Sequence, residues 1–236
     1  MGDGIKPTIY SHFTLGDMAA YYMLEEERQV ELLLVPVQKE KELNEKFDAL
    51  FDSKRLHGDS LIQVKLLNDM YPGAYGPGTS MRNSETIDMC RFEKQIHKTE
   101  GAKEVIETYL EDGRGHNFIH TLTWTKGEYA LGSTTTIINN ADTPTTLELL
   151  TSFSLGLISP FEEADASECL KLHRIRSKWS QEGRLVTESA EDLQLEPSWA
   201  YWQVNSTRYG QIGSMPVKGY FPFGAVEDTK AGVVWA

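Results

Sequence analysis

Apolar and polar residues alternate along most of the chain, and this pattern is typical of half-buried β-strands. In 61–67, Ile62, Val64 and Leu66 alternate with polar residues, and in 119–126 Leu122 and Trp124 alternate with threonines. Further strands are predicted at 8–15, 19–25, 29–36, 86–97, 102–111, 128–139, 146–155, 170–179, 183–188, 200–208, 219–226 and 232–235. Turns rich in glycine, asparagine and aspartate separate them. The pattern therefore predicts an antiparallel, all-β fold.

One segment has helical periodicity instead. In 39–51, Leu43, Phe47, Leu50 and Phe51 occupy positions i, i+4, i+7 and i+8, with charged residues elsewhere. This spacing predicts an amphipathic helix of about three turns. A second helical turn is predicted at 190–195, before Pro197. The predicted fold class is all-β, a large antiparallel β-sandwich (a supersandwich) with one or two short helices.

Composition and charge restrict the partners of the chain. Its 236 residues are 40% hydrophobic, which is enough to bury a core, and 23 basic against 35 acidic residues give a net charge of −12. This charge disfavours binding to nucleic acid or to an anionic membrane surface. The N-terminus lacks signal-peptide features, and Cys90 and Cys169 are too few for a disulfide framework. We predict a soluble cytoplasmic protein that binds neither nucleic acid nor membrane.

The residue types that carry catalysis or bind metals are scattered. His116 and His120 are four residues apart, but on a strand this is roughly 13 Å, too far for one zinc ion. No Gly-x-Ser-x-Gly motif anchors a hydrolase triad. We predict no catalytic residue, no metal and no cofactor in this chain. Two charged groups have alternative interpretations. Glu162, Glu163 and Asp165 form a solvated loop or a carboxylate site. Lys171, Arg174, Arg176 and Lys178 lie on an outer strand face and pair with the excess acidic residues of the chain, or they form an anion site or ion pairs between subunits.

The segment 68–85, NDMYPGAYGPGTSMRNSE, is the candidate binding loop. Its clustered prolines and glycines predict an irregular backbone, and such loops on rigid β scaffolds often bind ligands. The ring of Tyr75 offers a stacking face for a sugar, and Arg82 and Asn83 offer hydrogen bonds to its hydroxyl groups. We predict these three residues as substrate-binding. The alternative is an ordinary long hairpin loop.

Several stretches resemble the N-terminal β-sandwich of family 36 glycoside hydrolases, the microbial α-galactosidases. They cover about two thirds of the chain in the expected order and are LIQVKLLNDMYPGAYGPGTSMRNSE (61–85), HTLTWTKGEYAL (120–131), LELLTSFSLGLISPF (147–161), HRIRSKWSQEGRL (173–185), LEPSWA (195–200) and RYGQIGSMPVKGYFPFGAVEDTKAGVVWA (208–236).

The resemblance implies a sandwich followed by a (β/α)₈ barrel whose two aspartates perform retaining hydrolysis. Because 231–236 reads as a strand just starting, we expect one N-terminal domain over 1–236, incomplete at its C-terminal end and without the barrel. The implied role is a non-catalytic scaffold, a subunit contact in a homo-oligomer and one wall of an α-galactoside pocket, to which the loop at 71–84 contributes. The fragment alone is then no enzyme, whereas the full-length parent is an α-galactosidase.

Two other hypotheses stay open. The chain is a free-standing carbohydrate-binding or adhesive β-sandwich, or it is the N-terminal domain of an α-N-acetylgalactosaminidase or an oligosaccharide transferase of the same family. The sequence does not separate the second from an α-galactosidase, because the catalytic barrel carries the residues that decide the substrate.

Overall fold

The computed structural model describes residues 7–25, 29–52, 59–70, 83–161, 168–195, 207–210 and 218–236. The strands in these ranges are β1 Thr8–Leu15, β2 Met18–Glu25, β3 Gln29–Pro36, β4 Val64–Leu66, β5 Arg91–Glu100, β6 Lys103–Glu111, β7 His116–Thr125, β8 Leu131–Asn139, β9 Leu147–Leu150, β10 Leu170–Lys178, β11 Arg184–Ser189, β12 Lys218–Asp228 and β13 Val233–Trp235. The helices are α1 Glu40–Asp52, which follows a 3₁₀ turn at Val37–Lys39, and α2 Glu85–Met89. The predicted fold class, an all-β sandwich with one or two short helices, is confirmed.

The described residues belong to two compact units, which divide near residue 158. In the first unit, β1, β2 and β3 form one antiparallel sheet, β5 to β8 form a four-stranded antiparallel meander, and β4 pairs with β9. In the second unit, the antiparallel sheet has the order β11-β10-β12-β13. The prediction that 1–236 is one domain stays a prediction.

The core of the first unit lies between its sheets and beneath α1. Strands β2 and β3 are buried along most of their length, because both of their faces carry apolar residues. Side chains of β1 pack on β5, where Ser11 Oγ donates to Gln95 Oε1 over 2.6 Å and the ring of Phe13 meets that of His97 edge-on. Alternate residues of the meander point into this core, namely Ile106, Leu110, Phe118, His120 and Leu122.

Three predicted elements differ from the structure. The strand predicted at 86–97 begins only at Arg91, because 85–89 form α2, whose N-cap Ser84 accepts a hydrogen bond from the Ile87 N–H. The helical turn predicted at 190–195 is a series of turns, since Gln194 has a φ of 55° and leaves the helical region. The strand predicted at 146–155 ends at Leu150.

The structure bears on two further predictions. The amphipathic helix of 39–51 is present as α1, and its Leu43 is fully buried. Residues 200–206 of the strand predicted at 200–208 lie outside the described residues, and 207–208 are not in a strand.

Among the described residues, no helix is long and apolar enough to cross a membrane.

Candidate functional site

Of the three predicted sugar-binding residues, Asn83 is described, whereas Tyr75 and Arg82 lie outside the described residues. Asn83 has a φ of 50°, a left-handed conformation that asparagine tolerates better than most residues. Its backbone N–H donates to Gln63 Oε1 over 2.8 Å, and Gln63 Nε2 donates to its Oδ1 over 3.1 Å. These two bonds fix Asn83 against the segment that leads into β4.

Residues 68–70 lie before the segment 71–82 and residues 83–86 lie after it, and we call these two short stretches the loop stem. Hydrogen bonds join the two stretches to each other. The Glu85 N–H donates to the carbonyl of Met70 over 2.8 Å. Ser84, which is 1% exposed, donates its hydroxyl proton to the carbonyl of Val64 and also caps α2. The loop stem is therefore a closed, hydrogen-bonded structure, and the two ends of the loop predicted to bind sugar have fixed positions.

A charged network continues from the loop stem to the turn between β6 and β7. Asp69 accepts hydrogen bonds from the Leu66 N–H, over 2.9 Å, and from the Thr86 hydroxyl. The guanidinium of Arg114 donates to Thr86 from Nη2 and to Asp112 Oδ2 from Nε, the latter over 3.2 Å, and its Nη2 lies 3.6 Å from Asp69 Oδ1. One arginine therefore compensates two buried carboxylates.

Asp112 is the more enclosed of the two carboxylates in this network and is 1% exposed. Its Oδ1 accepts from the backbone N–H groups of Arg114 and His116, over 2.8 and 3.0 Å, and its Oδ2 lies 2.7 Å from His116 Nδ1. Burial by itself would raise the pKa of this carboxyl, but these hydrogen bonds outweigh it and lower the pKa below its usual value. The lowered pKa favours the carboxylate form of Asp112, whose hydrogen bonds hold the turn, and the group is poorly suited to donate a proton.

A groove of about 400 Å³ opens beside this network. Arg114 and His116 form part of its wall together with Asp69, and His116 Nε2 lies 2.8 Å from the Thr145 hydroxyl. The remaining lining residues are Leu66, Leu67, Asn68, Ala141, Thr143, Pro144 and Thr146. The groove combines one guanidinium, several hydroxyl groups and a few apolar surfaces.

The histidine pair on β7 does not form a metal site. His116 is bound to Asp112 and Thr145, whereas the fully buried His120 has Ser133 Oγ 2.9 Å from its Nε2. The Nδ1 of His120 has no hydrogen-bond partner among the described residues, and burial lowers the pKa of the imidazole to about 4. Within the described ranges, no group of three or more His, Cys, Asp and Glu residues could hold a metal ion.

The predicted basic group on β10 is divided between surface and interior. Lys171, Arg176 and Lys178 are exposed. Arg174 is 4% exposed, forms an ion pair with Glu188, and lies over the ring of Tyr209 at 5.0 Å from its centroid. Pairing with an acidic residue is confirmed for Arg174, but its predicted outer-face position is wrong because the ring of Tyr209 covers it. Glu162, Glu163 and Asp165 lie outside the described residues.

Sequence reasoning did not find Asp69, Arg114 or Asp112. The turn at 111–115 was interpreted only as a break between strands, and nothing in its local sequence indicates a partner near residue 69. The available signal was an Asp-Gly-Arg-Gly turn between two strong strands, because loops held by a rigid scaffold often carry functional residues.

Comparisons with known proteins show similarity at the level of the fold. No family model matches the chain, and no curated protein matches it. The family 36 α-galactosidase AgaB of Geobacillus stearothermophilus is similar over 93% of this chain and 32% of its own, with a TM-score of 0.57 and 12% identity. A variant of AgaA from the same organism, in complex with 1-deoxygalactonojirimycin, is similar over 76% of this chain and 28% of its own, with a TM-score of 0.49 and 11% identity.

This chain therefore spans about a third of the length of the solved enzymes that it resembles. At 12% identity, the similarity to AgaB shows a shared fold. The sequence resemblance predicts a β-sandwich like that of family 36 glycoside hydrolases, and the structure has such a fold. Its structural neighbours are glycoside hydrolases.

Proposed function

We propose that this chain is the N-terminal β-sandwich domain of a retaining α-galactosidase-like glycoside hydrolase and that it supplies none of the catalytic residues. The observation that carries the proposal is the fold similarity to AgaB, which extends over 93% of this chain but only 32% of that enzyme. In this interpretation, a barrel domain outside the present residues performs the chemistry, as the sequence resemblance also implies.

The chemistry of the buried carboxylates supports this division of labour. Retaining hydrolysis needs two carboxyl groups about 5–5.5 Å apart, one as nucleophile and one as a proton donor of raised pKa. Asp69 and Asp112 share the compensating charge of Arg114, and the pKa of Asp112 is lowered. Asp112 is therefore poorly suited as the proton donor, and Oδ2 of Asp69 is occupied by two internal hydrogen bonds.

The proposed role of the domain is a scaffold, a subunit contact in a cytoplasmic homo-oligomer, and one wall of the sugar pocket. We assign the pocket wall to Tyr75, Arg82 and Asn83. Support comes from the loop stem, whose hydrogen bonds between Met70 and Glu85 and between Gln63 and Asn83 fix both ends of the loop. A binding loop benefits from fixed ends, since less conformational entropy is lost when the ligand binds.

Replacing Arg82 by alanine in the natural protein should lower kcat/KM for an α-galactoside by about 5- to 150-fold. The variant leaves a buried sugar hydroxyl without its hydrogen-bond partner, which costs about 1–3 kcal/mol of binding free energy in the transition state. Asn83→Gly should have a similar effect; glycine is chosen because it keeps the φ of 50° without strain. The measurements are steady-state kinetics, the melting temperature and the oligomer size.

Matched controls separate loss of a sugar contact from damage to the fold. Ser180→Gly also places glycine at a positive φ, and Arg184→Ala removes an exposed cation, both in the second unit. Neither should change kcat/KM. The hypothesis that the loop forms a pocket wall would be refuted if both loop variants kept wild-type kinetics with the assembly intact. The proposal that the natural protein is an α-galactosidase would be refuted if that protein cleaved no α-galactoside.

A further inference from the structure

We propose that the groove beside Arg114 is a second, non-catalytic binding site, and that it takes a neutral ligand with adjacent hydroxyl groups, such as a monosaccharide ring. The lining residues in the described part of the chain all belong to the first unit. The inference is argued from these residues alone, so it does not depend on the proposed function.

The guanidinium of Arg114 provides a fixed and unused hydrogen-bond donor. Its Nε donates to Asp112 and its Nη2 to Thr86, so the plane of the group is held from two sides. The two N–H bonds of Nη1 have no partner among the described residues, and the side chain, which is 34% exposed, lines the groove. A preorganised arginine grips paired oxygen atoms with little loss of entropy.

Acceptors and further polar groups lie next to this donor. Asp69 Oδ1 is 3.6 Å from Arg114 Nη2, beyond hydrogen-bond distance, so it can still accept a hydrogen bond from a ligand. The exposed side chains of Asn68 and Thr143 line the groove and make no hydrogen bond within the described part of the chain. A hydroxyl group both donates and accepts, so two neighbouring hydroxyl groups can satisfy Asp69 and Arg114 together.

The charge and the shape of the groove restrict the ligand to a neutral molecule. Asp69 and Asp112 place two negative charges around the single positive charge of Arg114, in a chain of net charge −12, which disfavours an anion. A cation is not favoured either, because the described wall of the groove carries one guanidinium, of Arg114, beside the one carboxylate of Asp69. Leu67, which is 52% exposed, and Pro144 offer apolar surface to the C–H face of a ring. The volume of about 400 Å³ is within the range of small-molecule sites.

The test is a titration of the ¹⁵N-labelled 236-residue chain with galactose and, separately, with galacturonate, followed by NMR. Galactose should shift the amide signals of residues that line the groove, and galacturonate, which differs by one carboxylate, should bind more weakly. Thr143→Val and Asn68→Gly should each weaken galactose binding about two- to tenfold, because each removes one hydrogen bond. Asn68→Gly keeps the backbone φ of 73°.

A steric variant and a distant control complete the experiment. Thr143→Trp should abolish galactose binding because it fills the groove, whereas Thr134→Val, at an exposed position of β8 outside the groove, should leave binding unchanged. Arg114→Lys should also lose binding, provided that its NMR spectrum shows a folded chain. The proposal is overturned if galactose shifts no groove signals, if galacturonate binds as tightly as galactose, or if Thr143→Trp binds like the wild type.

Discussion

Replacing Arg114 by alanine should lower the free energy of unfolding by about 3 kcal/mol, because it leaves buried carboxylates without their compensating charge. The side chains of Asp112 and Asp69 are 0% and 4% exposed, and Arg114 is their shared ion-pair partner. Hydrogen bonds from His116 and backbone N–H groups still support Asp112 after the change. For this reason, and because Arg114 is 34% exposed, the loss should stay below the largest values known for buried pairs.

Urea unfolding of the variant beside the wild type measures this loss. Arg184→Ala removes an arginine from an exposed position of β11 and should change the free energy of unfolding by no more than about 0.5 kcal/mol. Adding Asp69→Asn to Arg114→Ala should restore part of the loss, since the second change removes one of the two uncompensated charges. A loss in Arg114→Ala no larger than that of Arg184→Ala would show that the network does not stabilise the fold.

Lowering the pH from about 6.5 to about 4 should destabilise the protein by about 3 kcal/mol through His120 alone. Burial lowers the pKa of this imidazole from 6.5 to about 4. Between these values the unfolded chain binds a proton that the folded chain does not, so stability falls as the pH falls. The contribution is fully present above pH 6.5 and is lost by about pH 4, and each unit of pKa difference corresponds to about 1.4 kcal/mol.

The His120→Leu variant isolates this contribution. Leucine fills a similar volume in the core and does not titrate, so the free energy of unfolding of the variant should depend less on pH than that of the wild type. Phe118→Leu, at a neighbouring buried position of β7, should lower stability without changing the slope between pH 6.5 and 4. If His120→Leu keeps the wild-type slope, the imidazole is not held neutral by burial.

The alternation of apolar residues predicted most of the sheet architecture, because strands packed on one face must alternate. Strand β1 has the predicted bounds, and β6 to β8 differ from their predictions by a few residues. Helix α2 was missed because Ser84 is followed three positions later by Ile87 and not by an acidic residue, so the capping-box pattern is absent. The hydrogen bond that begins this helix is visible only in three dimensions.

The candidate site could be predicted only in part, because its residues come from distant segments. The composition of its loop predicts Asn83 as a binding residue, which stays a prediction, but its bonds to Gln63 depend on the path of the chain before β4. The local sequence around Arg114 indicates a turn but not its partners, since Asp69 and Thr86 lie on the loop stem. Long-range ion pairs of this kind follow from the folded topology and leave no periodic trace in the sequence.

The proposal that a separate barrel performs the chemistry is tested by measuring the turnover of a chromogenic α-galactoside by the 236-residue chain and by the natural gene product that contains it. We expect the natural product to be a longer protein that hydrolyses the substrate and first releases the α-anomer of galactose, whereas the 236-residue chain should give no turnover above background. Two results would refute the proposal. One is turnover by the chain alone that disappears when one of its own carboxylates is replaced, and the other is a natural product with no catalytic domain beyond these residues.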